Sequence, residues 1–333
     1  MLARCLNFMC FMGFMCLVVG CTSKANLEQV SKALEKPQQL QQLYPTTQVR
    51  PVSDFTQIYI QGPFNVRLHT HKRQKPSLKI EGDAIDLKQI QSYVKNGVLY
   101  ISDGPKKTYI GKRQLRMGEA TVEINAPELH GFTYKGDGVI KADKIRSSLL
   151  DIWMMNSKQA NFGGWINLRR LTLLGDGTTK ITGIHSKNLC VKIGGAQQVE
   201  LKGEANLKRL DMEGRGSLGF YWVKSKDLIV RLSGYAQLTL AGKVNRLDGV
   251  FSDHAQFHGR YLRVKEAFVK TNGEATSDIA VVKTQHALAR DKSDIYYYNL
   301  PDYRMDFMAS NGSVLDMRPE ALKLEQPPTI YNH

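Results

Sequence analysis

The sequence is poor in cysteine, and most of its cysteines are crowded at one end. Of five cysteines in 333 residues, four lie within the first 21 positions, at Cys5, Cys10, Cys16 and Cys21. Only Cys190 lies in the rest of the chain. This excludes a framework of internal disulfides there, although the compartment of an exported protein would allow one. The stability of this part must therefore come from packed secondary structure.

Helical patterning is absent between residues 132 and 300. No segment there keeps apolar residues at helical spacing over ten or more positions, whereas alternation with a period of two is widespread. Leu228, Val230 and Leu232 alternate before Gly234, and a similar run follows that glycine. Such alternation predicts β-strands, so we expect an all-β fold.

A short pattern recurs about nine times from Phe132 to about Leu300, at intervals of 18 to 21 residues. Six positions after the start of each repeat stands Gly, Asn or Asp, which are residue types that tolerate a positive φ. The pattern predicts a backbone that turns in the same way once per repeat. The predicted turn column comprises Gly138, Asn156, Gly177, Gly195, Gly216, Gly234, Asp253, Gly273 and Asp294.

A unit of about 20 residues cannot bury an apolar face alone and must stack on its neighbours. We therefore predict a parallel β-helix, or β-solenoid, of about nine regular coils. Each coil would have a strand, a glycine corner, a second strand and a looser corner, and nine coils would stack over roughly 43 Å. A β-sandwich is the alternative, but its hairpins do not require one turn residue at one phase in every repeat.

The first 20 residues have the features of a lipoprotein signal peptide. A short positive start precedes an almost wholly apolar run over residues 5–19, which is too short for a comfortable membrane span. The run ends in Leu17–Cys21, which resembles a bacterial lipobox, so we expect the mature chain to begin at a lipidated Cys21. The alternative is an uncleaved anchor or a plain secretory signal. Thr22 in place of aspartate favours the outer membrane.

Four further regions follow the signal peptide in the predicted domain organisation. Residues 21–50 are polar and predict a tether, and residues 51–128 predict strands of less regular spacing. The regular solenoid is expected over residues 129–300, and residues 301–333 are expected to form a C-terminal cap or tail.

Several short motifs follow one another over about residues 52–300. They are Phe55-x-x-Ile58, Gly62–Val66, Ile80–Asp83, Asn96–Ile101, Ile124–Leu129 and Gly136–Gly138. In this order they resemble the head GIN domain family, which is described as adhesin heads of autotransporters and is common in bacterial lipoproteins. The resemblance implies a parallel β-solenoid and an adhesive function. We expect no translocator barrel in the few residues after Leu300.

Acidic residues do not cluster as a glycoside-cleaving site requires. Asp151, Asp211 and Asp248 share one phase of the repeat, but they fall on coils two, five and seven. Asp137 and Asp176 share another phase on coils one and three, about 10 Å apart. That separation is at the upper limit of the range of about 5–10 Å that glycosidases use, and no tight pair of acids emerges, so we expect solvated acids and no catalytic residues.

Two histidine pairs are the best candidates for metal binding. His254 and His258 would lie about 13 Å apart on one strand, which is too far for one ion unless the chain bends. His69 and His71 lie beside two cationic residues, which oppose metal binding. We therefore expect neither a metal nor a cofactor. The Gly-x-Gly segments are predicted to be solenoid corners rather than phosphate-binding loops.

A column of glutamines is the candidate ligand-binding face. Gln159, Gln198, Gln237 and Gln256 stand three places after the turn position, and Lys141 and Lys180 have the same phase. Stacked amides on a flat sheet can hydrogen-bond sugars, or they can simply keep a sheet soluble.

Basic residues outnumber acidic ones, 46 to 31, which gives a net charge of +15. Such a surface attracts polyanions, including acidic glycans, lipopolysaccharide phosphates and anionic lipid headgroups. Specific nucleic-acid recognition is not expected of an exported protein, and the oligomeric state stays open. The densest basic spots are Lys72–Arg73, Lys106–Lys107, Lys112–Arg113 and Arg169–Arg170.

These features favour an envelope-anchored lipoprotein whose solenoid is a non-catalytic surface for adhesion or for binding glycans or polyanions. One alternative is a carbohydrate-active solenoid enzyme of the polysaccharide lyase or hydrolase kind, with acids that converge from loops. A second alternative is an envelope-maintenance protein that faces the periplasm.

Overall fold

The computed structural model describes residues 46–104, 109–110, 113–114 and 120–318. Strand makes up 76% of the structure and helix 2%, and the strands form a β-solenoid of about nine turns. The predicted fold class is confirmed. The signal residues with Cys21, and the basic residues Lys106, Lys107 and Lys112, lie outside the described residues.

The strands are short near the N-terminus and long in the middle of the chain. The short strands are β1 (Thr46–Arg50), β2 (Gln57–Gln61), β3 (Asn65–Thr70), β4 (Ser77–Gly82), β5 (Ile90–Lys95), β6 (Val98–Asp103), β7 (Tyr109–Ile110), β8 (Arg113–Gln114), β9 (Thr121–Ala126) and β10 (Gly131–Lys135), with helix α1 (Ala84–Gln89) before β5. The later strands are β11 (Val139–Met155), β12 (Gln159–Leu174), β13 (Asp176–Gly214), β14 (Ser217–Gly234), β15 (Gln237–Phe251), β16 (Gln256–Thr271), β17 (Thr276–Arg290), β18 (Asp294–Tyr297), β19 (Arg304–Ser310) and β20 (Ser313–Asp316). No helix in the described ranges is long and apolar enough to cross a membrane.

From β11 onward each long strand bends around the solenoid and pairs in parallel with the next, as β14 does with β15 and β15 with β16. The pairing falls into three blocks per coil. We call them the first side (Leu228–Leu232), the second side (Gln237–Leu240) and the third side (Gly242–Arg246), each together with the residues stacked above and below it.

The third side was not expected, because the repeat predicted only two strands and two corners per coil. The additional corner separates the second side from the third. A glycine with a positive φ marks it in four coils, at Gly164 (133°), Gly183 (75°), Gly203 (134°) and Gly242 (139°). The neighbouring coil around Val223 has no such glycine, so the sequence shows no unbroken glycine column at this corner.

Alternate residues of all three sides point inward and form one continuous apolar core. Aromatic rings reinforce the packing between and within coils. Phe132 meets Phe162 of a neighbouring coil edge-on with ring centroids 5.5 Å apart, and within one coil Phe251 stacks on Phe257 at 4.8 Å. Burial of one such side chain contributes about 1.5–3 kcal/mol. The coils therefore depend on one another, because each completes the core of its neighbours.

Antiparallel strands cover the N-terminal end of this stack. Strand β4 runs antiparallel to both β9 and β1, and β5 runs antiparallel to β6. Arg50 at the end of β1 donates hydrogen bonds to the backbone oxygens of Ile90 (2.7 Å) and Leu87 (2.7 Å). Residues Thr46–Arg50 were assigned to the tether from the sequence, but in the structure they belong to the sheet.

The corner between the first and second sides is the most regular feature of the backbone. One residue per coil has a φ between 59° and 106° there. These residues stack closely, since a Cβ on Gly195 would lie 2.4 Å from the Gly175 oxygen, and one on Gly214 would lie 2.5 Å from the Gly195 oxygen. We call this set the corner column; it consists of Asn156, Gly175, Gly195, Gly214, Gly234, Asp253, Gly273, Asp291 and Asn311.

Five residues of the predicted turn column, namely Asn156, Gly195, Gly234, Asp253 and Gly273, occupy the corner column. The other four do not. Gly175, Gly214 and Asp291 take the left-handed position where Gly177, Gly216 and Asp294 were predicted to do so. Gly216 and Asp294 have no positive φ at all, whereas Gly177 (138°) does.

Gly138, the first predicted turn residue, is required for a different reason. Its φ is not positive, but a Cβ there would lie 2.0 Å from the Phe64 oxygen and 2.7 Å from the Tyr134 hydroxyl. Tyr134 is fully buried and donates its hydroxyl proton to the Phe64 oxygen (2.9 Å), and it accepts a hydrogen bond from the Gly138 N–H (2.7 Å). Burial raises the pKa of Tyr134 to about 12.

The stack continues beyond residue 300, where the sequence predicted a cap or tail. Strand β19 pairs in parallel with β17, and β20 pairs in parallel with β18. Tyr303, Phe307 and Met308 on and beside β19 are exposed. The final described residues therefore add strands to the sheet as well as ending it.

Candidate ligand-binding surface

The four glutamines of the predicted ligand face lie on the second side. Gln198, Ser217, Gln237 and Gln256 are successive partners in register, and Gln159 has the same position two coils earlier. Three of the four glutamines are exposed and Gln256 is half-buried. The glutamines therefore form a polar column, as the sequence predicted, although residues with small hydroxyl side chains interrupt it.

Lys141 and Lys180 were expected in the same column, and this was wrong. Both are register partners of Asn161, so they belong to a column two residues further along the second side. Lys180 forms an ion pair with Glu200 (3.0 Å), which also pairs with Lys202 (2.6 Å). The hydrogen bonds from Lys202 and then from Lys180 lower the pKa of Glu200. The second side thus has little free positive charge.

Three of the five aspartates considered as catalytic candidates are each paired with an arginine. Asp151 pairs with Arg169 (2.5 Å). Asp211 pairs with Arg209 (2.6 Å), and Asp248 pairs with Arg231 (3.0 Å). Within residues 120–318, each of these three ion pairs joins one carboxylate to an arginine and not to a second carboxylate. The three aspartates therefore supply no acid–base pair of the glycosidase kind.

His254 and His258 are likewise paired with acids rather than with each other. His254 lies 3.2 Å from Glu274, and His258 lies 3.3 Å from Asp278, in each case on the adjacent coil. No group of three His, Cys, Asp or Glu side chains in the described part of the chain could hold a metal ion. Cys190 is exposed and free.

Positive charge is greatest on the third side. Within the paired blocks between residues 143 and 291, the third side carries nine lysines and arginines, the first side seven and the second side one, and each side also carries two or three acids. The third side therefore has the largest excess of positive charge. Its cations are Arg146, Lys187, Lys224, Lys226, Lys243, Arg246, Arg263, Lys265 and Lys283, and Lys144 and Arg260 lie at the corner that precedes it.

Three of these cations are stacked directly on one another. Lys224 is the register partner of Lys243, and Lys243 is the register partner of Arg263. Neighbouring strands lie about 4.8 Å apart, and like charges opposite each other destabilise a sheet. Lys224 is compensated by Glu204 (2.7 Å), but neither Lys243 nor Arg263 has an ion-pair partner within residues 120–318. A bound anion would relieve this repulsion.

A groove crosses the N-terminal part of the third side, and Trp165 stands at its middle. Two cavities of about 730 Å³ and 530 Å³ share this residue as a wall. Trp165 is 54% exposed and stacks on His185 with ring centroids 3.8 Å apart. We call this feature the Trp165 groove; its other charged or polar walls include Lys72, Arg73, Lys144, Arg146, Asn167, Lys187 and Lys224.

The loop after β3 forms the outer wall of the Trp165 groove. Thr70 fixes this loop, because its hydroxyl donates to the Lys144 oxygen (3.1 Å) and accepts from the Arg146 N–H (2.7 Å). A tight turn follows, in which the Gln74 N–H donates to the His71 oxygen (3.0 Å). The sequence predicted Lys72–Arg73 only as a cluster of positive charge. In the structure these two residues face the first coils of the third side.

A third cavity, of about 820 Å³, lies near the C-terminal end of the same side. Arg260, Tyr261, Arg263, Tyr298 and Leu300 are among its walls. The Arg260 guanidinium lies 4.4 Å from the centre of the Tyr298 ring, which is within the range of a cation–π contact. The third side therefore has aromatic rings beside cations at both ends.

The order of the N-terminal motifs and the coils that follow them match one known family. The model of the family described as "Putative auto-transporter adhesin, head GIN domain" matches residues 54–221 and 165–301. The chain belongs to the head GIN domain family. The two matches overlap over residues 165–221.

Several solved structures are similar to this head GIN domain. They include a "putative lipid binding protein" and a "putative adhesin" from Parabacteroides distasonis, at 16% and 15% identity with TM-scores of 0.47 and 0.45. A "putative adhesin" from Parabacteroides merdae is 13% identical with a TM-score of 0.47. Each alignment covers 82% of this chain and 96% of the other. No curated protein matches the chain.

The Trp165 groove and the stacked cations were not among the residues predicted from the sequence. A signal for the cations was present, since Lys224, Lys243 and Arg263 recur at intervals of 19 and 20 residues, close to the repeat itself. The groove had no such signal, because Thr70 joins a loop to a coil more than 70 positions further along the chain.

Proposed function

We propose that this head GIN domain is a non-catalytic adhesive surface that binds anionic glycans along its third side. The observation that carries the proposal is the charge of the third side, which has nine cations against two or three acids and stacks Lys224, Lys243 and Arg263 on one another. An evenly basic protein would attract polyanions without a preferred side, whereas a one-sided distribution favours one binding face.

The regular spacing of the cations favours an extended polymer over a small anion. Stacked side chains repeat once per coil, at about 4.8 Å, so a polymer with regularly spaced negative groups can contact several coils at once. Each contact is weak at an exposed site, and the sum over several coils supplies the affinity. Family membership supports the adhesive role, since the family is described by that role.

The charge hypothesis is tested with two triple variants of equal net charge. Lys243→Gln, Arg263→Gln and Lys265→Gln neutralise the third side, whereas a control with Lys192→Gln, Lys270→Gln and Arg290→Gln neutralises the first side. We expect the third-side variant to lose affinity for polygalacturonate by at least about tenfold at low salt. The control should stay close to the wild type.

Equal losses in the two triple variants would show that total charge, not the third side, governs binding. Binding that is unchanged as sodium chloride rises from 50 to 500 mM would also contradict the proposal, because exposed charges are screened over about 10 Å at 0.1 M salt. Biolayer interferometry with immobilised polymer gives both comparisons in one format.

The proposal includes anchoring of the mature protein to the envelope through lipid on Cys21, most simply at the outer membrane. It rests on the apolar run and the lipobox-like end at Leu17–Cys21. Protease added to intact and to permeabilised cells tests the topology, with Cys21→Ala as the variant that cannot be lipidated. Loss of the domain from intact cells, together with release or non-processing of the variant, is expected for an adhesin.

Digestion that requires permeabilisation would instead place the domain in the periplasm and exclude adhesion to surfaces outside the cell. That outcome would favour the envelope-maintenance alternative. The enzyme alternative has less support, because the three candidates Asp151, Asp211 and Asp248 form ion pairs with arginines.

A further inference from the structure

We infer that the Trp165 groove is the subsite that recognises the sugar rings of an acidic polysaccharide, with Trp165 as a stacking platform and the surrounding cations as carboxylate ligands. The inference rests on the proposed function and adds a preference for one class of polyanion. It concerns polymers whose negative charge is carried by pyranose rings, such as polyuronates.

The position of Trp165 is the first observation. A tryptophan that is 54% exposed in the wall of a groove has a flat apolar surface in contact with water, which is unfavourable unless something covers it. His185 stacks against the ring at 3.8 Å and holds it in place from the adjacent coil. A pyranose ring has an apolar face of C–H groups, which packs well against such a surface.

The cations around Trp165 supply the second observation. Arg146 is the register partner of Trp165, so its guanidinium lies on the neighbouring coil. Lys72, Arg73 and Lys144 line the same cavity, and none of these four cations has an ion-pair partner among the described residues. A planar guanidinium binds a carboxylate through two parallel hydrogen bonds, which favours uronates as the charged group.

The polar groups beyond Trp165 extend the subsite along the third side. Asn167 is fixed by a hydrogen bond from its amide nitrogen to the Ser148 oxygen (2.6 Å), so its amide is held at the wall of the second cavity. Lys187 lines that cavity as well, together with Lys224 and the Glu204 carboxylate that pairs with Lys224 (2.7 Å). A chain of acidic sugars that enters past Lys72 can therefore continue over Trp165 towards the stacked cations.

Two probes separate ring recognition from simple charge attraction. Polygalacturonate carries its charges on pyranose rings, whereas inorganic polyphosphate is a linear polyanion without rings. We expect Trp165→Ala to bind polygalacturonate about tenfold more weakly and polyphosphate within about twofold of the wild type. Trp165→Phe should recover part of the loss, because a smaller ring still stacks.

Trp222→Ala is the matched control, because Trp222 is 67% exposed at the start of another third-side segment and lines neither cavity. Its affinity for both polymers should equal that of the wild type. Circular dichroism and the unfolding midpoint of each variant show whether the fold is intact.

Fluorescence gives a direct readout of the site. The chain has three tryptophans, so the double variant with Trp153→Phe and Trp222→Phe leaves Trp165 as the single emitter. Polygalacturonate should shift or quench its emission in a saturable way, and polyphosphate should have much less effect.

Three outcomes count against the inference, and they differ in what they imply. If Trp165→Ala keeps its affinity for both polymers, ring stacking is refuted while the third-side proposal stands. If it weakens both polymers equally, the groove does not recognise rings. If the wild-type protein binds neither polymer, the proposed function fails and the inference fails with it.

Discussion

At the scale of single residues, the corner column explains why small or short polar residues recur along the chain. Left-handed backbone is tolerated by Gly, Asn and Asp, and costs other residues about 1–2 kcal/mol or more. Where aspartate takes the position, its carboxylate adds a contact between coils. Asp253 accepts a hydrogen bond from the Gly234 N–H at 2.9 Å, and Asp291 accepts one from the Gly273 N–H at 3.3 Å.

The corner column predicts a large difference between two glycines of one coil. Gly214 has a φ of 106°, and an added Cβ would lie 2.5 Å from the Gly195 oxygen, so we expect Gly214→Ala to lower the free energy of unfolding by at least about 1–3 kcal/mol. Gly219 has no positive φ, and its nearest neighbour is 3.7 Å from the added Cβ. Gly219→Ala should therefore change stability by less than about 0.5 kcal/mol in urea unfolding.

Similar losses of stability for the two alanine variants would show that the corner column is not what constrains the chain.

The sequence predicted this column only in part, for a definite reason. Gly175 and Gly177, and likewise Gly214 and Gly216, stand two positions apart, and the spacing of the repeat cannot tell which glycine of each pair has the left-handed conformation.

Tyr134 predicts a specific dependence of stability on pH. Its pKa is about 12 in the folded protein and about 10 in the unfolded chain, so the unfolded state loses its proton first as the pH rises. Stability from this group is complete below pH 10 and falls between pH 10 and 12, by up to about 2.7 kcal/mol. Acidic and neutral pH should leave this contribution unchanged.

The variant Tyr134→Phe isolates this effect. Below pH 10 it should be less stable than the wild type by about 1–3 kcal/mol, because the Gly138 N–H and the Phe64 oxygen lose their partner. The difference should narrow from pH 10 to pH 12, as the wild type loses stability that the variant lacks. Tyr303→Phe, at a site that is 89% exposed, is the control, and a constant difference would refute the assignment.

At the scale of strands, alternation made the first side and most of the second side predictable. Each has inward residues at every other position, and that pattern needs no knowledge of the partner strand. The third side was missed because it continues the same strand around a corner that is marked by glycine in only some coils. The ligand-facing columns were misplaced for the same reason, since register between coils depends on how many residues each corner contains.

The stacked cations predict opposite effects on stability and on binding. Lys243 lies between Lys224 and Arg263, so Lys243→Gln removes repulsion on both sides and should raise the free energy of unfolding by about 0.2–1 kcal/mol at low salt. The gain should disappear in 1 M salt, where charges are screened within about 3 Å. The affinity for polygalacturonate should fall in the same variant.

Lys270→Gln is the control, because the register partners of Lys270 are the uncharged Val250 and Leu288. It should show no salt-dependent gain. A Lys243→Gln protein that is destabilised at low salt would mean that the lysine is already neutralised in the free protein, and the case for an anion at that position would weaken.

At the scale of the whole molecule, the repeat predicts that one coil can be removed. Deletion of residues 195–213 joins Gly194 to Gly214, which then takes the place of Gly195 above Gly175 in the corner column. We expect a folded protein with the same strand content, a lower unfolding midpoint, and an m-value reduced by roughly a tenth. Circular dichroism and urea unfolding provide both values.

A deletion of about half that length, residues 204–213, is the control, because it joins Gly203 directly to Gly214 and brings second-side residues to third-side positions. It should unfold or aggregate. Equal stability of the two deletion variants would contradict a solenoid whose coils are interchangeable.

The sequence predicted this level of organisation best, since a period of about 20 residues is visible without any knowledge of contacts.

The parallel pairing of coil on coil has a mechanical consequence. Backbone hydrogen bonds join each coil only to its two neighbours, and no described disulfide crosses the stack. A pulling force between the two ends of the stack would therefore peel away one coil at a time instead of breaking all bonds together. Each step would release about 20 residues, or roughly 70 Å of extended chain. A protein held at one end to a cell and at the other to a polymer could thus lengthen under flow in steps while its remaining coils stay bound.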